Sequence, residues 1–499
     1  MAPNGYERLS AQDSSFVMFD GGRGQLAISL VAVFDAAAND SLPFDIARYR
    51  SYVESRLHLI PHYRSVVQKT PLQRHPIWVD DDRFDIAHHV RHTALPRPGG
   101  TSQLKELAGS ITSRPLDVTR PLWELWFVEG LAEGGFAVIA KVHHCMVDGV
   151  AGVGVVTALL SPVAEFEDPP AKPRKPWKPR PAPGLLDFVR DSLSETTGLA
   201  VDAARNLGGA LQHPGEIADE LVEAVGSGFN TIVTGLSPPP VTPINRPIGT
   251  QRRVEWNDVD LVAVKDVKKR LDGSVNDVVL AVVAGAMRRF FERRKLSVKG
   301  LDLRVIIPVD TRSGAVDMSV GNKVSSWFLD LPVSECDPRT RFEKIREQTR
   351  KRKQQNAEKG VDLFLRFADW SGSSRLPYWG VSLIHAVRPY NMIVTNVQGP
   401  PVPLYLLGSR LRSLVPTVPL FEGQALSVAV MSYIDRISFG LSADWDSLPD
   451  LGDLSQLVGA SFDELREAAE GSERPRKRRR KRASTAPVEA RANGASAVV

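Results

Sequence analysis

The residues best placed to do chemistry are His143, His144, Cys145, Asp148 and Gly149, within Lys141-Val142-His143-His144-Cys145-Met146-Val147-Asp148-Gly149. Two adjacent imidazoles, three spacers and an Asp-Gly pair make the pattern HHxxxDG. A neutral histidine, with an ordinary pKa near ~6.5, accepts a proton at neutral pH and returns it in a later step. General base chemistry is therefore the first expectation. Metal ligation is disfavoured, because adjacent strand residues point to opposite faces and the i, i+4 pair of helical zinc sites is missing. Cys145 stands beside an imidazole as a nucleophile would, but direct transfer to an acceptor needs no such thiol. Asp148 has an equally good structural use as the N-cap of the next helix, and Gly149 as a site of close packing.

Such residues need a stiff support. Phe136 to Ala140 is an apolar run of strand character leading into the two histidines, and 150–160 reads as a helix packed through small residues. Pro121-Leu122-Trp123 opens another strand that runs to Val128, and Glu133-Gly134-Gly135 turns it into the motif strand. Trp123, Leu125 and Phe127 fall on one face and Trp126 on the other, so both faces should be covered. By the same alternation, His143 and His144 should point to opposite sides.

Further out, 26–34 reads as a strand, and 46–57 and 104–113 as helices. Phe84-Asp85-Ile86 reads as a strand piece leading to His88, His89 and His92, which suit the core or the surface. In the second half, Leu261, Val264 and Leu271 mark a helix closed by Gly273, and Asn276 and Asp277 open a buried helix over 278–288. Strands are expected at 304–309, 324–331, 392–397, 425–434 and 437–443. A strongly charged helix at 339–358 reads as a solvated face, and 451–469 as a closing helix.

Composition bounds the rest. The chain has 499 residues, 42% hydrophobic and 24% charged, which suits a globular protein with room for two domains. Its two cysteines, Cys145 and Cys336, give no disulfide framework and suit a reducing compartment. The first ten residues carry no apolar signal core, and no apolar run reaches the ~18 residues a spanning helix requires. The expectation is a cytoplasmic protein, soluble or resting on a membrane or lipid-inclusion surface. Net charge is +5, but eight basic residues lie within 474–482, and without them the chain is net acidic. That tail has a disordered composition. It suits anionic lipid headgroups, at ~1 kcal/mol per basic residue, as well as plain solubility; any contact with nucleic acid would be nonspecific. A Pro/Lys/Arg-rich stretch at 169–183 reads as an extended linker, followed by weakly amphipathic helices over 185–233. The expected organisation is an N-terminal domain at 1–168, a linker with crossover helices at 169–244, a C-terminal domain at 245–470 and a basic tail at 471–499.

HHxxxDG resembles the motif of the CoA-dependent acyltransferase superfamily, which includes chloramphenicol acetyltransferase and peptide-synthetase condensation domains. The wider set resembles the bacterial wax ester synthase/diacylglycerol acyltransferase family, from Leu9 to about residue 465. It comprises the opening at 9–16, Pro121-Leu122-Trp123, HHxxxDG and Asn276-Asp277. Then come Pro308-Val309 with Arg312, Gly321-Asn322, Thr395-Asn396-Val397-Gln398-Gly399-Pro400 and Ser432-Tyr433. So many motifs in order make the likeness specific.

The resemblance implies an α/β fold with mixed sheets, as two chloramphenicol-acetyltransferase-like domains with a tunnel between them. It implies an acyl-CoA-dependent O-acyltransferase that forms triacylglycerol, wax esters or both from diacylglycerol or a long-chain alcohol. His144 would be the general base, with no metal and no cofactor, acyl-CoA being a co-substrate. His143 would support the strand end, and Asp148, turned to an arginine, would shape the loop beside Gly149. Asn276, Asp277, Asn396 and Pro121-Leu122-Trp123 would meet substrate, although Asn276 equally suits a helix cap and Trp123 plain packing. Two alternatives stand beside this reading. One is a condensation-type enzyme with another acceptor; the other is a non-enzymatic lipid-surface protein recruited through the tail.

Overall fold

The computed structural model describes residues 6–20, 25–36, 45–70, 75–147, 149–165, 177–184, 187–188, 239–310, 324–354 and 390–471. The expectations for Asp148, Arg312, Gly321, Asn322, most of the crossover segment and the basic tail lie outside these residues.

The first half runs β1 (Glu7–Arg8), α1 (Ala11–Phe19), β2 (Ala27–Phe34), α2 (Ile46–Arg56), β3 (Ser65–Gln68) and β4 (Ile77–Asp80). It continues through α3 (Ile86–His89), β5 (Val90–Ala94), α4 (Thr101–Thr112), β6 (Trp123–Glu129), β7 (Phe136–His143) and α5 (Gly149–Leu159). The second half begins with β8 (Arg252–Asp260), α6 (Leu261–Arg270), α7 (Val275–Arg293), β9 (Leu303–Asp310), β10 (Val324–Leu331) and α8 (Pro338–Gln354). It ends with β11 (Met392–Gln398), β12 (Tyr405–Leu406), β13 (Ser409–Thr417), β14 (Leu426–Tyr433), β15 (Arg436–Asp444) and α9 (Leu451–Glu470).

Two six-stranded mixed sheets organise the chain, in the orders β12-β13-β2-β7-β6-β5 and β10-β9-β11-β14-β15-β8. In the first, β5 and β6 run parallel and the other neighbours antiparallel. In the second, β11 runs parallel to both β9 and β14. A small sheet, β1-β4-β3, sits beside the first. No helix among the described residues is long and apolar enough to cross a membrane.

The motif strand β7 lies inside its sheet, between β2 and β6, with both faces covered. Phe136, Val138 and Val142 join the cluster around Trp123 and Phe127, while Ala137 and Ile139 join Val31, Val33 and Leu104 on the other side. The turn into β7 depends on Gly135, whose φ is +75° and where an added Cβ would stand 2.2 Å from the Phe34 carbonyl oxygen. A side chain there has neither the backbone region nor the space.

Three local readings change. Residues 84–86 are not a strand piece: Asp85 caps the helical turn α3 by accepting from Ala87 N at 2.8 Å, and it stands 4.0 Å from His88 rather than against His89. Helix α6 is closed by Asp272, at φ 54°, with Gly273 N donating to Lys268 O at 2.8 Å. Gly273 is required instead by packing, since a Cβ there would meet the Phe342 ring at 2.4 Å. Helix α8 is not simply a solvated face either. Phe342, Ile345 and Thr349 form a buried stripe at helical spacing, and buried Arg341 pairs with Glu464 at 2.9 Å.

The strands at 405–417 were not anticipated. They leave the second half and complete the first sheet, with β13 pairing β2 from Thr417↔Ser29 to Leu411↔Phe34. The boundary at 245 is therefore crossed by a later segment. A two-residue turn joins β12 to β13, with Leu407 at φ 48° and Gly408 at φ 86°. Helix α4 adds a second seam. Its Gly109 approaches the Arg252 carbonyl, where a Cβ would lie at 2.9 Å; Ser113 Oγ accepts from Arg252 N at 2.7 Å, and Lys105 reaches Glu255 at 2.6 Å.

Candidate active site

The motif histidines occupy the edge of the first sheet where it meets α1. That helix is held at its start by Ser10, whose Oγ accepts from Asp13 N at 3.0 Å, and by Leu9 N donating to Pro76 O at 2.8 Å. Midway, buried Ser14 is hydrogen-bonded to His75 Nδ1 at 2.9 Å. Its far end carries Phe16 and, as C-cap, Asp20.

β7 ends at His143, and His144 is the first residue of the turn beyond it. The backbone keeps the strand pattern for one more residue: His143 N donates to Leu122 O at 2.9 Å and His144 N to Leu26 O at 2.8 Å. The two side chains meet different residues of α1. His143 Nε2 lies 3.2 Å from Asp20 Oδ2, and the His144 ring packs on Phe16 at 4.3 Å between centroids, 33° from coplanar. Phe16 and Asp20 are one helical turn apart, so both imidazoles lean on the same stretch of α1.

His144 keeps some of its surface open, whereas His143 is only 1% exposed. Burial of the His144 ring lowers its pKa to about 4; an interaction with its own backbone carbonyl opposes the shift and the neighbouring His143 adds to it. The ring is thus neutral throughout the physiological range.

Cys145 is not a nucleophile. It is 2% exposed in an apolar cluster with Leu9, Trp78 and Leu122, and burial pushes its thiol well above the ordinary value, with Asp13 and Asp20 acting in the same direction. α5 starts at Gly149, as the motif required.

Leu122 and Trp123 of Pro121-Leu122-Trp123 are packed in the interior. Leu122 is in the Cys145 cluster, and Trp123 is 1% exposed. Trp123 Nε1 donates to Tyr63 O at 2.8 Å, and its carbonyl accepts from His89 Nδ1 at 2.8 Å. His89 is stacked between Phe84 and Trp123. His88 and His92 remain at the surface, near Asp85 and Glu129.

In the second half, Asp277 is a capping residue. Its carboxylate accepts from Ser274 N at 2.8 Å and from Thr349 Oγ1 at 2.7 Å, while Ser274 Oγ caps Asp277 N. This reciprocal box gives Asp277 a structural role. Asn276, the residue before, is free of that duty and half-buried; Asn396 Nδ2 donates to its Oδ1 at 3.5 Å. The two asparagines predicted from separate motifs are brought together. Val397, next in sequence, joins the apolar cluster that holds Met146 and Val153. The second half thereby reaches the motif segment, although no described hydrogen bond links either asparagine to His144.

Sequence reasoning missed two supports. Lys141, buried two residues before His143, donates to the carbonyls of Ile111, at 3.1 Å, and of Arg114. Burial lowers its pKa to about 8. It ties β7 to the C-terminal end of α4, and a lone lysine inside an apolar strand was the available signal. Asp20 had no such signal, since its contact with His143 is purely tertiary.

Comparison with known proteins gives this arrangement its place. Residues 9–279 match the wax ester synthase/diacylglycerol acyltransferase catalytic domain, and residues 320–466 match the WS/DGAT C-terminal domain. The chain belongs to the wax ester synthase/diacylglycerol acyltransferase family. A putative diacylglycerol O-acyltransferase of Mycobacterium tuberculosis H37Rv is 32% identical over 478 residues, covering 93% of this chain and 91% of that protein. The O-acyltransferase WSD of Acinetobacter baylyi is 30% identical over 388 residues, covering 76% and 80%. Among solved structures, the wax ester synthase/diacylglycerol acyltransferase of Marinobacter aquaeolei VT8 superposes with a TM-score of 0.64 at 22% identity, covering 93% of this chain and all of that one. The first condensation domain of the calcium-dependent antibiotic synthetase shares the fold, with a TM-score of 0.57 at 15% identity over 93% and 96%. This WS/DGAT chain is therefore an acyltransferase on a two-sheet fold of mixed strands.

Proposed function

We propose that the protein transfers an acyl group from acyl-CoA to the hydroxyl of diacylglycerol or a long-chain alcohol, giving triacylglycerol, wax ester or both, with His144 as general base. The observation that carries this reading is His144 itself: neutral, partly open, and aimed from the turn of HHxxxDG in a chain of this family. The unprotonated ring nitrogen of His144 takes the hydroxyl proton as the oxygen attacks the thioester carbonyl. The tetrahedral intermediate then collapses, the C–S bond breaks, and the departing CoA sulfur takes the proton back. No acyl-enzyme forms, in keeping with the buried, protonated Cys145.

A positioned base typically supplies ~10²–10⁴-fold, so orientation and oxyanion stabilisation must supply the rest. Asn276 and Asn396 are neutral amides from the second half, suited to hold a polar group of either substrate without competing for the proton.

The basic segment at 474–482 would hold the enzyme near an anionic lipid surface, where the ester product and the acceptor alcohol partition. Truncation before Arg474 should leave transfer in detergent unchanged and weaken binding to anionic vesicles. The function itself is tested by incubating the purified protein with labelled palmitoyl-CoA and, separately, diacylglycerol or hexadecanol. Labelled ester in at least one reaction, with CoA released in step, is expected; thioester hydrolysis alone would exclude the proposal.

A further inference from the structure

His143 is the member of the motif that proton transfer leaves unused. Its Nδ1 accepts a hydrogen bond from the Cys145 backbone amide at 3.1 Å. A ring nitrogen that accepts an amide proton carries none of its own, so neutral His143 holds its proton on Nε2. Nε2 faces Asp20 Oδ2 at 3.2 Å, off the line of a straight hydrogen bond, so the contact is chiefly electrostatic. A carboxylate at that distance favours N–H over a bare lone pair and so selects this tautomer.

Asp20 has a second connection to the same turn. Its Oδ1 accepts from Leu26 N at 3.4 Å, and Leu26 O accepts from His144 N at 2.8 Å. The peptide on each side of His144 is therefore tied back to one carboxylate: the preceding one through Leu26, the following one through His143. Asp20 is also the C-cap of α1, one turn beyond the Phe16 ring that packs on His144. A catalytic group must be held within about 0.5 Å of its working position by the residues around it.

We infer that Asp20 is a positioning residue for acyl transfer, its carboxylate holding His143 as the Nε2–H tautomer so that Nδ1 receives the Cys145 amide and the turn aims His144. The inference rests on His144 being the base. Asp20 acts through His143. When the carboxylate is removed, the Nδ1–H tautomer becomes competitive, its proton meets the Cys145 N–H, and the turn opens.

The test compares purified Asp20→Ala, Asp20→Asn and His144→Ala with the parent enzyme. Asp20→Ala should lower kcat by about 10–100-fold, the scale of a small misplacement of a reacting group, with KM for acyl-CoA within about twofold. Asp20→Asn, whose carbonyl oxygen keeps only a partial negative charge beside Nε2–H, should recover part of the loss. An Asp20→Ala enzyme with parental kcat overturns the inference. So does one whose defect lies in KM or thermal stability alone. Should the alanine variant fail to fold, histidine ¹⁵N spectra of the parent decide, with the His143 signal assigned through its absence in His143→Gln. A bare Nδ1 and a protonated Nε2 support the inference, and the reverse tautomer overturns it. An inactive His144→Ala beside a fully active Asp20→Ala removes only the role of Asp20; a fully active His144→Ala removes the base on which it rests.

Discussion

A general base has to be neutral before it can work, and burial would secure that for His144 in the proposed role. Its pKa of about 4 puts the protonated, inactive form well below the ordinary histidine range. The pH profile of kcat/KM should accordingly stay level from pH 8 down to about 5 and fall only as pH drops through about 4. An acid limb near ~6.5, the ordinary histidine value, would show that the ring is hydrated in solution. Phe16 supplies part of that burial through its contact with the ring. Phe16→Ala admits water, favours the charged imidazolium and should move the acid limb upward toward neutrality. The same physics disposes of Cys145, where burial stabilises the thiol and removes the nucleophile.

At the scale of elements, the candidate residues sit on a hairpin, a helix across its end and a capped helix from the other half. The cap at α7 is separable from chemistry. Ser274→Ala should cost about 1 kcal/mol, as N-cap losses typically do, and lower the melting temperature while leaving kcat unchanged. A matching loss of kcat would show that the start of α7 sets the position of Asn276. Most of these elements were legible in the sequence, because β6, β7, α4, α7 and α9 carry clear apolar periods bounded by Gly, Ser or Asp. The misreadings have local causes. Asp85 capped a helical turn too short to show a period, and α8 hid its buried stripe among charges. At β13, Pro416 and the alternating Arg410 and Arg412 masked a strand whose partner lies nearly four hundred residues earlier. Of the candidate residues, HHxxxDG and the two asparagines that meet in the fold were legible. Asp20, Ser14 and His75 were not, since their contacts exist only after α1 docks.

The whole molecule is stitched by β13 in the first sheet and by α4 against β8, so the two halves should unfold together. Acid should weaken the assembly in a defined window. His89 and His144 are each held near pKa 4 by burial, against about 6.5 in the unfolded chain. Between those values the unfolded state binds protons that the folded state does not, so stability falls as pH drops from about 6.5 to about 4. A melting temperature that stays constant across that interval would contradict the buried placement of both rings. The account as a whole turns on the His144 ring, and the most direct measurement is ester formation by the His144→Ala enzyme, shown to be folded by an unchanged melting temperature at pH 7. It should lose at least ~10²-fold in kcat, the lower range for a positioned general base, while still binding acyl-CoA. Parental turnover by that folded variant would contradict the account.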